Sequence, residues 1–213
     1  CKKKIISADR QIVLAGAGIN LERYKMQPYP KHTRIHFLYL GRIMKEKGID
    51  ELFYAVRHLK KENENFVLDL VGFFEDEYKE QVKELEKHSI AHFYGFQSDP
   101  RPFYIEADCV VLPSYHEGMS NVILEAAATG RPVITSNIPG CRESVENGKS
   151  GLLVEVKNKE MLYDAMKEML HCSREEREQM GQAGREKMER EFRKEVVVEK
   201  TVQSLREDEK RDF

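Results

Sequence analysis

Apolar positions along this chain come in short unbroken runs, separated by stretches in which apolar residues recur every three or four positions. The runs fall at 35–40 (IHFLYL), 66–71 (FVLDLV), 91–94 (AHFY), 109–112 (CVVL), 133–135 (VIT) and 151–154 (GLLV). Continuous apolar runs of this length predict strands buried on both faces. Between them the spacing is helical. Ile49, Leu52, Phe53, Val56 and Leu59 share one face of a helix between Gly48 and Lys61. Residues 76–88 read as a second helix, and Asp99-Pro100 as the cap and first turn of a short third. Met161, Leu162, Ala165, Met166, Met169 and Leu170 mark another, and Ser173 with Glu176 forms a capping-box start for the next. From about Ser173 onward the chain is charged and helical, with no strand.

Strands alternating with helices predict an α/β fold: a Rossmann-like parallel sheet with helices on both faces, followed by C-terminal helices. Open sheets of this kind take ligands beyond the carboxyl ends of their strands. Four runs end at Gly41, Gly72, Gly95 and Pro113, so one rim is the expected working surface. The pattern divides into a ligand-binding domain over 1–172 and a helical segment over 173–213.

Charge changes this picture locally. The 213 residues carry a net −2, yet residues 1–50 hold eleven Lys/Arg against four Asp/Glu, leaving −9 for the rest. Such asymmetry suits an anionic ligand or peripheral contact with a membrane surface, and a solvated basic tail at Lys2-Lys3-Lys4 accounts for part of it equally well. No nucleic-acid partner is expected. The four cysteines are far apart and read as reduced thiols, with Cys109 in the core. No apolar run reaches the length of a membrane span, and a cytoplasmic location, extending to the inner membrane face, is expected. The chain begins with Cys, which suggests a piece of a longer protein lacking an amino-terminal portion.

Segment 12–21 (IVLAGAGINL) imitates a dinucleotide fingerprint, but Leu21 stands where the third glycine belongs, and Pro28 and Pro30 oppose the crossover helix that motif needs. Two other segments carry more. In 41–48 (GRIMKEKG), between a strand and a helix, Arg42, Lys45 and Lys47 stand beside Gly41, a combination suited to a phosphate or diphosphate. In 115–122 (YHEGMSNV), another strand gives way to a helix whose first-turn amides form an anion site, and Gly118 permits close approach. Asn121 and Glu125 share a face of that helix, and adjacent hydroxyls, as on a ribose, would satisfy both carboxylate oxygens. Glu117 precedes the helix, placed for a different polar group such as a second sugar. Pairing of Glu125 with Arg131 or Arg142 inside the fold is the structural alternative.

With these segments the chain resembles the retaining, family 4 glycosyltransferases of GT-B fold. EGMSNVILE at 117–125 is similar to their E-x7-E motif, and 41–48 to their phosphate loop. FYGF at 93–96, ADCVVLPS at 107–114, EAAATGRPV at 125–133, GCRE at 140–143 and NGKSGLLV at 147–154 follow in that family's order, with GAGIN at 16–20 resembling the segment that enters its second domain. The resemblance covers about residues 12–172. It implies the carboxyl-terminal, donor-binding half of such an enzyme. Glu125 would hold the ribose of a nucleotide-diphosphate sugar, most simply a UDP-sugar, and Glu117 the transferred sugar. The backbone of Gly118, Met119 and Ser120 would lie along sugar and diphosphate, and Arg42 and Lys47 would neutralise the leaving diphosphate. Gly41 and Asn121 complete the binding set, and the region of Gln97 corresponds to the nucleobase pocket. No Asp-x-Asp motif occurs, and neither a metal nor a further cofactor is implied.

The resemblance also implies a glycan or lipid-linked acceptor, bound by a first domain missing from this chain, so the isolated domain would transfer little. Bacterial surface polysaccharide synthesis, with transfer of a hexose or N-acetylhexosamine, is the implied setting. UDP and GDP remain alternatives. A sugar-nucleotide epimerase on the same architecture and a binding-only Rossmann-like module are the rivals. A phosphorylase would need a pyridoxal lysine motif, which is not found. His116 reads as a local packing or hydrogen-bonding residue rather than a base. Val196, Val197, Val198 and Val202, on the last helix, are expected to be partly exposed or packed elsewhere without the first domain.

Overall fold

The computed structural model describes residues 16–62 and 64–209. The basic cluster Lys2-Lys3-Lys4 and the first residues, 12–15, of the fingerprint-like segment lie outside them.

All six apolar runs form strands: β1 (Ile35–Leu40), β2 (Phe66–Val71), β3 (Ala91–Gly95), β4 (Cys109–Leu112), β5 (Val133–Ser136) and β6 (Gly151–Val154). They pair in parallel, in the order β3-β2-β1-β4-β5-β6. Every residue of β2 and β4 is buried, as strands covered on both faces must be. At the edge, β3 instead alternates between buried or half-buried and exposed residues.

The helices are α1 (Ile49–Lys61), α2 (Lys79–Lys87), α3 (Arg101–Glu106), α4 (Asn121–Ala128), α5 (Lys159–His171), α6 (Arg174–Lys187) and α7 (Lys194–Glu209). The apolar face of α1 (Ile49, Leu52, Phe53, Val56, Leu59) is buried as its spacing predicts. It packs extensively against α5, which buries Leu162, Ala165, Met166 and Met169. The second helix starts three residues later than residues 76–88 suggest, because 73–76 are occupied in bracing a neighbouring loop. The capping box at Ser173 and Glu176 forms with both of its bonds, 3.2 and 2.7 Å.

Helix α6 is poor in buried apolar residues and docks by close approach. A side chain at Gly181 would lie 2.1 Å from the Gly130 carbonyl. Next to this contact the Arg131 guanidinium is buried and donates to five carbonyls, those of Tyr104, Ile105, Gln27, Pro28 and Gly130. The first two belong to the last turn of α3, where a cation also meets the negative end of the helix dipole. Burial still pulls the Arg131 pKa down to about 10. A π-helical turn at Met188–Phe192 leads into α7, and Ile19 pairs with residues 192 and 194 through backbone bonds of 2.7 and 3.1 Å. The segment at Ile19 and the start of α7 therefore run side by side. Among the described residues no helix is long and apolar enough to cross a membrane.

Candidate functional site

In a sheet of this order the connections diverge to opposite faces at β1 and β4, opening a crevice beyond their carboxyl ends. The segments that leave those two strands are 41–48 and 113–120, the two carrying candidate chemistry. They interlock. The Tyr115 amide donates to the Glu46 carbonyl at 2.8 Å. Gly48 sits at φ +73°, and a Cβ there would lie 2.2 Å from the Pro113 carbonyl oxygen. The loop after β5 joins them. Gly140, at φ +88°, leaves room for the Gly118 carbonyl, 2.1 Å from where its Cβ would stand, and its own carbonyl accepts from the Ser120 amide at 3.0 Å. At both positions only glycine has the conformation and the space.

This packing brings Lys47 and Glu117 together. The Lys47 ammonium donates to Glu117 Oε1 at 2.7 Å, and their side chains are only 16% and 15% exposed. Lys47 belongs to a single 3-10 turn, Lys45–Lys47, wedged between β1 and α1. Arg42 stands apart from both acids. Its guanidinium binds the two carboxylate oxygens of Glu75, at 2.8 and 3.1 Å, in a pair 48% and 42% exposed. The Tyr39 hydroxyl donates to the Arg42 carbonyl and steadies the loop from within the sheet.

Glu125 is half-buried within α4 and turns toward α3. The Tyr104 hydroxyl donates to its Oε2 at 2.9 Å, and the Tyr24 phenol also reaches the carboxylate. Burial raises the Glu125 pKa, against the lowering effect of those two hydroxyls and of nearby Arg23. The same carboxylate, together with burial, lifts the Tyr24 pKa to about 12, so Tyr24 remains a donor. A cleft of about 400 Å³ adjoins this group, lined among others by Arg23, Tyr24, Asp99, Arg101, Ile105 and Thr129. Thr129, one turn beyond Glu125, donates its hydroxyl to the Glu125 carbonyl at 2.8 Å.

The remaining candidates frame the crevice. Gly118 is exposed, Ser120 is buried as the N-cap of α4, and Asn121 is exposed on its first turn. Met119 packs against Gly16 of the incoming segment, and its sulfur accepts from the Ser144 hydroxyl at 3.7 Å. The Gly41 amide donates to the Val71 carbonyl at 2.9 Å, and its own carbonyl fills the space a side chain at Gly72 would need. Gln97, exposed after β3, donates its side-chain amide to the Tyr94 carbonyl at 2.8 Å. Among the described residues no group of three or more His, Cys, Asp or Glu is disposed to hold a metal ion.

The structural alternative for Glu125, an ion pair with Arg131 or Arg142, is not formed. Arg131 spends its donors on carbonyls, and Arg142 lies 3.5 Å from Glu143. His116 is exposed rather than packed. Sequence reasoning missed Tyr24, Tyr104 and Glu75, whose roles depend on strands and loops distant in the chain. No local pattern around these residues signals them.

Comparison with known proteins identifies the family of the chain. The family model for "Glycosyl transferases group 1" matches residues 22–187. The chain belongs to that family. Among its curated relatives is a capsular polysaccharide biosynthesis glycosyltransferase of Staphylococcus aureus, 28% identical over 93% of this chain and 57% of that protein. A sucrose-phosphate synthase from Thermosynechococcus elongatus superposes with a TM-score of 0.75 at 26% identity, over 89% of this chain and 51% of the other. The Anabaena protein HepE, solved in complex with UDP and glucose, shares the fold with a TM-score of 0.74 at 20% identity, over 88% of this chain and 55% of its own. This group 1 chain thus has the Rossmann-like α/β architecture of GT-B glycosyltransferases and spans about half the length of the relatives it matches.

Proposed function

We propose that this chain is the donor-binding half of a retaining, family 4 glycosyltransferase, taking a nucleotide-diphosphate sugar, UDP-sugar foremost, for glycan or surface polysaccharide synthesis. The observation that carries the reading is the Lys47–Glu117 pair, which joins the loops after β1 and β4 at the sheet's crossover point. An anion-binding cation and a hydroxyl-binding acid side by side match a diphosphate bonded to a sugar. The HepE complex with UDP and glucose, on the same fold, supports such a ligand here.

In this reading the nucleoside enters the cleft beside Glu125, whose carboxylate accepts from the ribose hydroxyls while Tyr104 and Tyr24 hold it in place. The backbone at Gly118, Met119 and Ser120 lines the diphosphate and sugar, and Gln97 borders the base. Transfer breaks the bond between the sugar's anomeric carbon and the diphosphate oxygen and forms one from that carbon to an acceptor hydroxyl oxygen, whose proton passes to the departing diphosphate. Negative charge grows on that oxygen, and Lys47, partly shielded from water, and the more exposed Arg42 stabilise it. Glu117 holds a hydroxyl of the sugar, and neither metal nor organic cofactor is required. The acceptor, a glycan or lipid-linked sugar, would be held by a domain outside this chain, with the whole enzyme working at the cytoplasmic face of a membrane.

Calorimetry of UDP binding to Glu125→Ala tests this. Losing hydrogen bonds from two hydroxyls to a charged group predicts binding roughly 10- to 150-fold weaker, with the fold intact by circular dichroism. Unchanged affinity would reject the assignment of Glu125 to the ribose.

A further inference from the structure

The segment 73–76 (FFED), which leaves β2, lies against the Arg42 loop along its whole length. The Ile43 amide donates to the Phe73 carbonyl at 2.8 Å, and the Glu75 and Asp76 amides donate to the Ile43 carbonyl at 3.1 and 3.3 Å. An Asp76 carboxylate oxygen accepts from the Lys45 amide at 2.8 Å. The backbone of this strut is therefore fixed relative to Arg42, and the Glu75 carboxylate reaches the guanidinium from a rigid base. A single guanidinium nitrogen, Nη1, donates to both Glu75 oxygens, so a phosphate oxygen bonding at that nitrogen competes with the carboxylate.

The two cations of the loop are held unequally. Lys47 and Glu117 are largely shielded from water, so separating them exposes each to a costly change of surroundings. Arg42 and Glu75 are about half exposed, and a pair of that kind contributes little. An arriving anion therefore displaces Glu75 from Arg42 before it disturbs Lys47.

Resting on the donor-binding reading above, we propose that Glu75 is a built-in competitor for the diphosphate: it occupies Arg42 in the free protein and sets how strongly this loop takes anions. Glu75 touches no reacting atom in this scheme. It is a positioning residue that stores the guanidinium in a bonded state and weakens anion binding by the strength of the pair.

The test is calorimetry of inorganic pyrophosphate, UDP and uridine on the 213-residue chain and its variants, at low and high salt. Glu75→Gln is expected to bind pyrophosphate and UDP about two- to five-fold tighter than wild type, with uridine unchanged. The gain should shrink as salt rises, because an exposed pair is screened. Glu160→Gln, which removes an equal charge on α5, should give no gain, and Glu75→Asp should stay near wild type. If wild type binds pyrophosphate and UDP but Glu75→Gln binds them no more tightly, or if Glu160→Gln gains as much, the competitor role is overturned while the donor site stands. If wild type binds neither, both readings fall.

Discussion

Lys47 and Arg42 stand five positions apart in one short loop, yet their surroundings assign them different costs of removal. Lys47 neutralises an acid that is 15% exposed, so Lys47→Met leaves Glu117 without its partner in a poorly hydrated place. Urea denaturation should show a loss of about 1–3 kcal/mol. Arg42 faces a well-hydrated Glu75, and Arg42→Ala should change stability by no more than about 0.5 kcal/mol. Its effect belongs to binding: UDP should weaken markedly and uridine hardly at all, because only UDP presents phosphate oxygens. Equal losses for both ligands would remove Arg42 from the diphosphate site. The presence of a basic loop was legible from the residues 41–48. Which of its cations is held by which acid was not, because Glu75 and Glu117 come from two other loops.

Strands β1 and β2 carry a polar pair within an apolar sheet. The His36 Nδ1 lies 2.8 Å from Asp69 Oδ2, and the His32 ring packs on the His36 ring at 4.4 Å. The bond to Asp69 raises the His36 pKa, with burial and Arg34 opposing and Asp69 and Asp108 charges assisting. A histidine raised in the folded state contributes stability fully below its unfolded pKa of about 6.5, and loses it as pH climbs through the folded value. Unfolding free energy should therefore fall as pH rises from about 6 to 8, and His36→Gln should flatten that slope. A slope of equal size in the variant would place its origin elsewhere. At this scale the sequence spoke most clearly. Six apolar runs, the α1 face and the Ser173 capping box all follow from residue spacing, since these elements need only local periodicity and a buried face.

Across the whole molecule, α7 is the element whose apolar residues are not fully used. Val197 is buried, whereas Val198 and Val202 are 53% and 40% exposed. The double substitution Val198→Lys and Val202→Lys should leave the unfolding free energy of this chain within about 0.5 kcal/mol of wild type, measured in urea. A large loss would show that these side chains pack within the chain after all. The paired course of residue 19 with 192 and 194 places α7 beside the segment that enters the domain, with Gly16 of that segment against Met119. The segment at Gly16 thus lies close to the candidate site.

By itself the sequence determined the class of fold and the chemistry available to it, because periodicity, glycine and proline placement, and the types of charged residue are local properties. It named Arg42, Lys47, Glu117 and Glu125 on that ground. The strand order was decided only in three dimensions. By setting β1 between β2 and β4 it put an ammonium and a carboxylate seventy positions apart within 2.7 Å and gave Arg42 to Glu75, while the approach of α3 to α4 turned Glu125 to Tyr104. Parallel strands can be joined in many orders with the same apolar pattern, so the partner of each buried charge depends on which loops the sheet makes neighbours.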